Sequence, residues 1–136
     1  MIRIGIDCGV KTGFAVVKDN KLITVSTETI TSAMEIIRKW NTNSTLPEMK
    51  IYIEDARLRT WFTGGREKAQ GVGSVKRDCS IWEQFCIEQR IKYELVHPKN
   101  NVTKLNAEQF KKITGWTGRT SEHGRDAAML VFGRVK

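Results

Sequence analysis

The stretch Ile2-Arg3-Ile4-Gly5-Ile6-Asp7-Cys8-Gly9, followed by Thr12-Gly13-Phe14-Ala15-Val16-Val17, decides how the chain is read. Apolar residues flank a single acid, and the glycines just beyond it let the backbone turn tightly into a second apolar run. This is the pattern of a buried strand that ends in a carboxylate and folds back as a hairpin. A carboxylate beside a core is costly unless it is salt-bridged, hydrogen-bonded or bound to a metal. Asp7 is equally suited to capping the turn before Gly9, so the other acids of the chain decide between a turn residue and a ligand.

Working outward, Gly13 to Val17 forms a second strand and Leu22 to Ser26 a third. They are joined through Lys18-Asp19-Asn20-Lys21, where Asp-Asn tolerates the positive φ of a tight hairpin. The chain thus opens as a three-stranded antiparallel meander. Ala33, Ile36, Ile37 and Trp40 then recur at helical spacing, and Ser32 with Glu35 three residues on is a capping-box signature. A polar run ending in Pro47 stops that helix. Met49 to Ala56 is rich in strand formers and carries a second strand-end acid pair, Glu54 and Asp55. Alternation sends the two to opposite faces, so only one can join Asp7. Glu54 is the choice, because Asp55 starts the loop, where solvent or turn hydrogen bonds can satisfy it.

The segment from Arg57 to Gly73 mixes cations, aromatics and glycines: Arg59, Trp61, Phe62, Arg66 and Lys68 stand among Gly64, Gly65, Gly71 and Gly73. Cations neutralise phosphates while aromatic faces stack on unpaired or distorted bases, so this mixture suits a nucleic-acid-gripping loop. A basic surface loop with Trp61 tucked into the core is the plainer alternative. A long helix is expected from Gly73 to Arg90, with Val75, Cys79, Trp82, Phe85, Cys86 and Gln89 as its core stripe. Lys76 and Arg77 fall near its expected start, where positive charge opposes the helix dipole unless an anion compensates. Ile91 to His97 supplies another strand, and His97 is assigned no catalytic role. Asn106 caps a short helix through Ile113, and Thr120 or Ser121 can cap the last one, whose body is Ala127, Ala128, Leu130, Val131 and Phe132.

At 136 residues the chain fits one domain, 1–136, able to bury a core without disulfides or structural metal. Its 23 Lys and Arg against 15 Asp and Glu leave a formal charge of +8, which points to an anionic partner. The cations are spread along the whole chain rather than gathered beside an apolar anchor, which favours nucleic acid over a membrane surface. Cys8, Cys79 and Cys86 are an odd, widely spaced set without CxxC, expected as buried thiols rather than a disulfide framework or zinc ribbon. With neither a signal-like N-terminus nor an apolar run of the ~18 residues a membrane helix needs, a cytoplasmic protein is expected.

Glu122, His123 and Asp126 occupy the first turns of the last helix. His123 and Asp126 are three apart and Glu122 and Asp126 four apart, so either pair can project from one face toward the first and fourth strand ends. Asp7, Glu54, Asp126 and His123 then make an oxygen-rich set suited to Mg²⁺ or Mn²⁺ rather than to structural zinc.

The order of Ile4-Gly-Ile-Asp-Cys-Gly with Thr12-Gly-Phe-Ala, then Ile53-Glu54, then His123-Gly-Arg-Asp126-Ala-Ala resembles the RNase H-like nucleases, most closely the RuvC-type Holliday-junction resolvases, over almost the entire chain. The first motif also resembles the phosphate-loop strand of sugar kinases and actin-like ATPases, but one short domain lacks the second lobe that would close over a nucleotide. The resemblance implies an α/β, RNase H-like fold: a five-stranded mixed sheet, the meander plus two parallel strands, flanked by helices. It implies that Asp7, Glu54, His123 and Asp126 hold two divalent ions, and that Lys104 is a basic residue near the scissile phosphate. The family commonly carries an Asp-Ala-Asp-Ala-type sequence on this helix. Here His123-Gly-Arg-Asp126 departs from it, leaving Glu122 as an alternative to His123. The activity implied is cleavage of branched DNA, a four-way junction, by a homodimer with no organic cofactor, leaving 5′-phosphate and 3′-hydroxyl ends. A related nuclease acting on RNA or simple duplex, and a nucleic-acid-binding module with a decayed site, are the competing expectations.

Overall fold

The computed structural model describes residues 1–43, 48–58 and 66–133, with only the backbone of 58 and 66–72. The opening apolar runs form β1 (Ile2–Asp7), β2 (Thr12–Lys18) and β3 (Lys21–Glu28), an antiparallel meander in which β1 pairs with β2 and β2 with β3. Asp19 and Asn20 make the β2–β3 turn with φ of 51° and 64°, the left-handed values this residue pair accepts. Helix α1 (Ile30–Asn41) then leads to β4 (Met49–Glu54), which returns parallel to β1. A 3-10 turn (Ala56–Leu58), helix α2 (Arg66–Gln89) and β5 (Lys92–Val96), parallel to β4, complete the sheet in the order β3-β2-β1-β4-β5. Helices α3 (Ala107–Thr114) and α4 (Glu122–Val131) follow.

The period of two along the strands separates two cores. Ile2, Ile4 and Ile6 of β1 with Ile51 and Ile53 of β4 pack beneath α1 and α2, against Ile37, Trp82, Phe85 and the thiols of Cys79 and Cys86. The alternate residues Ala15, Val17 and Tyr52 meet Ala127, Ala128, Leu130 and Val131 of α4, and Phe110 of α3. All three cysteines are free and buried. No helix among the described residues is long and apolar enough to cross a membrane.

Helix α4 lies unusually close to the sheet. A Cβ on Gly5 would stand 2.0 Å from the Ala127 carbonyl oxygen, and one on Gly13 would stand 2.0 Å from that of His123. Only residues without a side chain allow the helix backbone to rest on β1 and β2 in this way.

Several local boundaries differ from those the sequence suggests. Helix α2 starts at Arg66, not Gly73, so Lys76 and Arg77 lie in its third and fourth turns and the helix-start argument for a compensating phosphate does not hold there. The run Arg66-Glu-Lys-Ala-Gln is strongly helix-forming and carries Gly71 and Gly73 along, at roughly 1 kcal/mol each. Arg59, Trp61 and Phe62 lie outside the described residues, and Arg66 and Lys68 are placed by backbone only, on the first turn of α2. Ser32 does not cap α1. Thr29 does, its hydroxyl accepting from the Ser32 N–H, while Ser32 Oγ donates to Glu28. Ser121, one of the two expected residues, caps α4, and Asn106 caps α3 through a capping box completed by Gln109.

The close helix–sheet contact gives a direct test. Gly5→Ala should destabilise the protein by about 3 kcal/mol, the upper range for forced overpacking, in chemical denaturation. A loss below 0.5 kcal/mol would show that the contact is not tight.

Candidate active site

Asp7 and Glu54 are register partners at the C-terminal ends of the parallel strands β1 and β4, so their side chains leave the sheet on the same face. That face is the α4 side: Asp7 Cβ would meet a Cβ on Gly13, and Tyr52, two residues before Glu54, packs in the α4 core. Asp55 goes to the opposite face, as alternation requires. It is 1% exposed and thus not satisfied by solvent. The expected turn hydrogen bond is present, the Arg57 N–H donating to Oδ1 at 3.0 Å, and the Arg57 guanidinium adds Nε at 2.8 Å and Nη2 at 3.0 Å. The same guanidinium pairs with Glu83 Oε1 at 2.8 Å, and Glu83 accepts from the Tyr93 hydroxyl at 2.9 Å. This chain of charges ties the end of β4 to α2 and β5. It also raises the Arg57 pKa, the Asp55 hydrogen bonds being the main cause.

Helix α4 brings its first turns to the same place. His123 Nδ1 lies 3.1 Å from Asp7 Oδ2, the geometry of an imidazole N–H donating to a carboxylate. Asp126 is buried, and its charge acts on Asp7, as does that of Glu122. Glu122 is exposed. Burial lifts the Asp7 carboxyl to about 6, the His123 hydrogen bond opposing the shift and the Asp126 and Glu122 charges adding to it. Asp126 is raised as well, again chiefly by burial, with the Lys104 N–H acting against it.

Lys104 reaches the site through its main chain. Its N–H donates to Asp126 Oδ1 at 2.9 Å, while its side chain is exposed. Its φ of 60° is left-handed, a conformation that costs a non-glycine residue roughly 1–2 kcal/mol. Two residues without a signal in the sequence also act here: Asn101 Nδ2 donates to the Asp126 carbonyl at 3.1 Å, and Arg125 Nε donates to the Leu105 carbonyl at 2.7 Å. Their roles depend on where the loop after β5 crosses α4, which no local pattern encodes. His97 caps the turn that follows β5, its Nδ1 accepting from the Lys99 N–H at 3.2 Å.

The donor chemistry fits a hard divalent cation: carboxylates from two strand ends and one helix, with an imidazole beside them, and a crowded negative charge that a cation would relieve. Among the described residues, no three His, Cys, Asp or Glu side chains are placed so that together they could hold one metal ion.

The raised Asp7 carboxyl has a thermodynamic consequence. Between pH 4 and 6 the folded state binds more protons than the unfolded chain, so Asp7 makes stability fall as pH rises through that window. In EDTA at pH 7.5, Asp7→Asn should therefore be more stable than the wild type by about 3 kcal/mol, with a flatter pH dependence from 4 to 6. A less stable variant under these conditions would contradict the electrostatic picture.

No protein-family model matches this sequence, and no curated protein does. Among solved structures, the chain is similar to RuvC of T. thermophilus in complex with Holliday junction substrate, with a TM-score of 0.64 over 97% of this chain and 90% of that one, at 17% identity. At that identity the likeness concerns the fold, and the five-stranded mixed sheet with its flanking helices is a RuvC-like, RNase H-like α/β fold.

Proposed function

We propose that this chain is a metal-dependent, structure-selective DNA endonuclease that resolves Holliday or other branched junctions, working as a homodimer with two Mg²⁺ or Mn²⁺ ions per site. The observation that carries the proposal is the gathering of Asp7, Glu54 and Asp126 at one end and on one face of the sheet, in a chain whose formal charge is +8. A module that only binds nucleic acid gains nothing from carboxylates clustered where phosphate must approach. The likeness to RuvC, a protein whose structure contains a Holliday junction, favours branched DNA over RNA or simple duplex.

In this reading Asp7, Glu54 and Asp126, with His123 or Glu122 as a further donor, hold the ions. Held there, divalent ions would supply Lewis-acid activation of a water and charge stabilisation of the leaving oxygen, the chemistry that yields 5′-phosphate and 3′-hydroxyl ends. The protein's own part is to fix the carboxylates and to hold the substrate. His123 keeps the Asp7 carboxylate oriented. The exposed Lys104 side chain would supply a cation near the scissile phosphate. Arg59, Trp61, Phe62, Arg66, Lys68, Lys76 and Arg77 grip the branch point, cations on phosphate and aromatic faces on unstacked bases.

Incubation with a four-way junction, a linear duplex and an RNA–DNA hybrid, each with Mg²⁺, Mn²⁺ or EDTA, tests the proposal. Paired nicks in the junction are expected with either metal and not with EDTA, falling at least a hundredfold in Asp7→Asn. Binding to the junction without cleavage under any condition would overturn the nuclease reading, and preferential cutting of the hybrid would overturn the substrate. Trp61→Ala combined with Phe62→Ala should weaken junction binding at least tenfold, the loss of about one stacked base. Unchanged binding would remove that segment from the interface.

A further inference from the structure

Asp126 is held differently from the strand-borne acids. Its Oδ1 accepts the Lys104 N–H at 2.9 Å, and its main-chain carbonyl accepts from Asn101 Nδ2 at 3.1 Å. The loop is tied back in the other direction by the neighbouring side chain: Arg125 Nε donates to the Leu105 carbonyl at 2.7 Å. The same guanidinium, through Nη1, donates to the Thr120 carbonyl at 3.1 Å and to Thr120 Oγ1 at 2.8 Å. Three segments, the loop after β5, the loop before α4 and the first turns of α4, are therefore stitched together around one carboxylate. The left-handed φ of Lys104 aims its N–H at that carboxylate, a conformation the residue keeps only because its surroundings impose it.

We propose that residues 101–105 form a clamp that holds the Asp126 carboxylate in one orientation toward a cation, and that Arg125 is the positioning residue holding the clamp closed. The inference rests on the reading of Asp126 as a metal ligand and deepens it. The Lys104 N–H takes up one lone-pair direction of Oδ1 and so restricts the Asp126 carboxylate to a single orientation. Arg125 touches no reacting atom in this account. Through Leu105 it fixes where the Lys104 N–H points, and through Thr120 it fixes the approach of the chain to the Ser121 cap of α4. Such outer partners of a ligand govern its orientation and commonly change metal affinity tenfold or more when removed.

The test compares the wild type with Arg125→Met, which keeps the aliphatic stem, and Arg125→Lys, which can restore one carbonyl contact. Two quantities are measured without nucleic acid: the affinity for Mn²⁺ by titration calorimetry, and hydrogen exchange of the Lys104 amide in EDTA. Arg125→Met should bind Mn²⁺ at least tenfold more weakly and exchange the Lys104 amide at least tenfold faster, with Arg125→Lys recovering part of both. If Arg125→Met does not fold in a thermal melt, Arg125→Gln takes its place. Wild-type Mn²⁺ affinity in a folded Arg125→Met whose Lys104 amide has lost protection would overturn the inference and leave the nuclease reading intact. Unchanged protection of that amide would equally overturn it, because Arg125 would not hold the clamp. A wild type that binds no Mn²⁺ would overturn both this inference and the metal-dependent function on which it rests.

Discussion

The close seating of α4 on β1 and β2, made possible by Gly5 and Gly13, is the constraint on which the candidate site depends. A helix normally stands off a sheet by the thickness of two layers of side chains. Here its carbonyls at His123 and Ala127 approach the strands to a distance that no Cβ would allow. That closeness brings His123 within hydrogen-bonding distance of Asp7 and lets the Asp126 charge act on it. The parallel β1–β4 pairing adds Glu54 at the same level. Three distant parts of the sequence thus meet through a pairing register and a missing pair of side chains.

The energetic cost of this meeting falls on the carboxylates. Asp7 and Asp126 are both pushed toward the neutral form by burial, and each feels a neighbouring negative charge. The protein offsets part of this with the His123 imidazole, the Lys104 main-chain N–H and the Arg125 charge. Asp55, equally acidic and one residue from Glu54, shows the contrast. It faces the other side of the sheet and is fully engaged by Arg57, which in turn is shared with Glu83. One strand end therefore carries a structural acid and an acid turned toward the site, separated only by the alternation of side chains.

Much of this was legible in the sequence because it is periodic. Alternation across β1 and β4 predicts which acids share a face, and three-residue spacing on α4 predicts that His123 and Asp126 leave together. The tight Asp19-Asn20 turn is encoded by the residues that form it. The start of α2 was not legible, because Gly71 and Gly73 resemble a loop until the whole helix is seen. Nor was the cap of α1, where Thr29 and Ser32 are both plausible oxygen donors and only the backbone path selects between them. The clamp on Asp126 was hidden for a deeper reason. Its donor is a main-chain N–H, present in every residue but proline, and its direction comes from a left-handed φ at a lysine.

The central claim is that Asp7, Glu54 and Asp126 together make one divalent-cation site. Anomalous diffraction from crystals soaked in Mn²⁺ addresses it most directly. Peaks are predicted among these three carboxylates, with oxygen atoms of Asp7, Glu54 and Asp126 at ligating distances of about 2.2 Å. An absence of Mn²⁺ at this end of the sheet at saturating concentration, or its binding to other acids alone, would contradict the account.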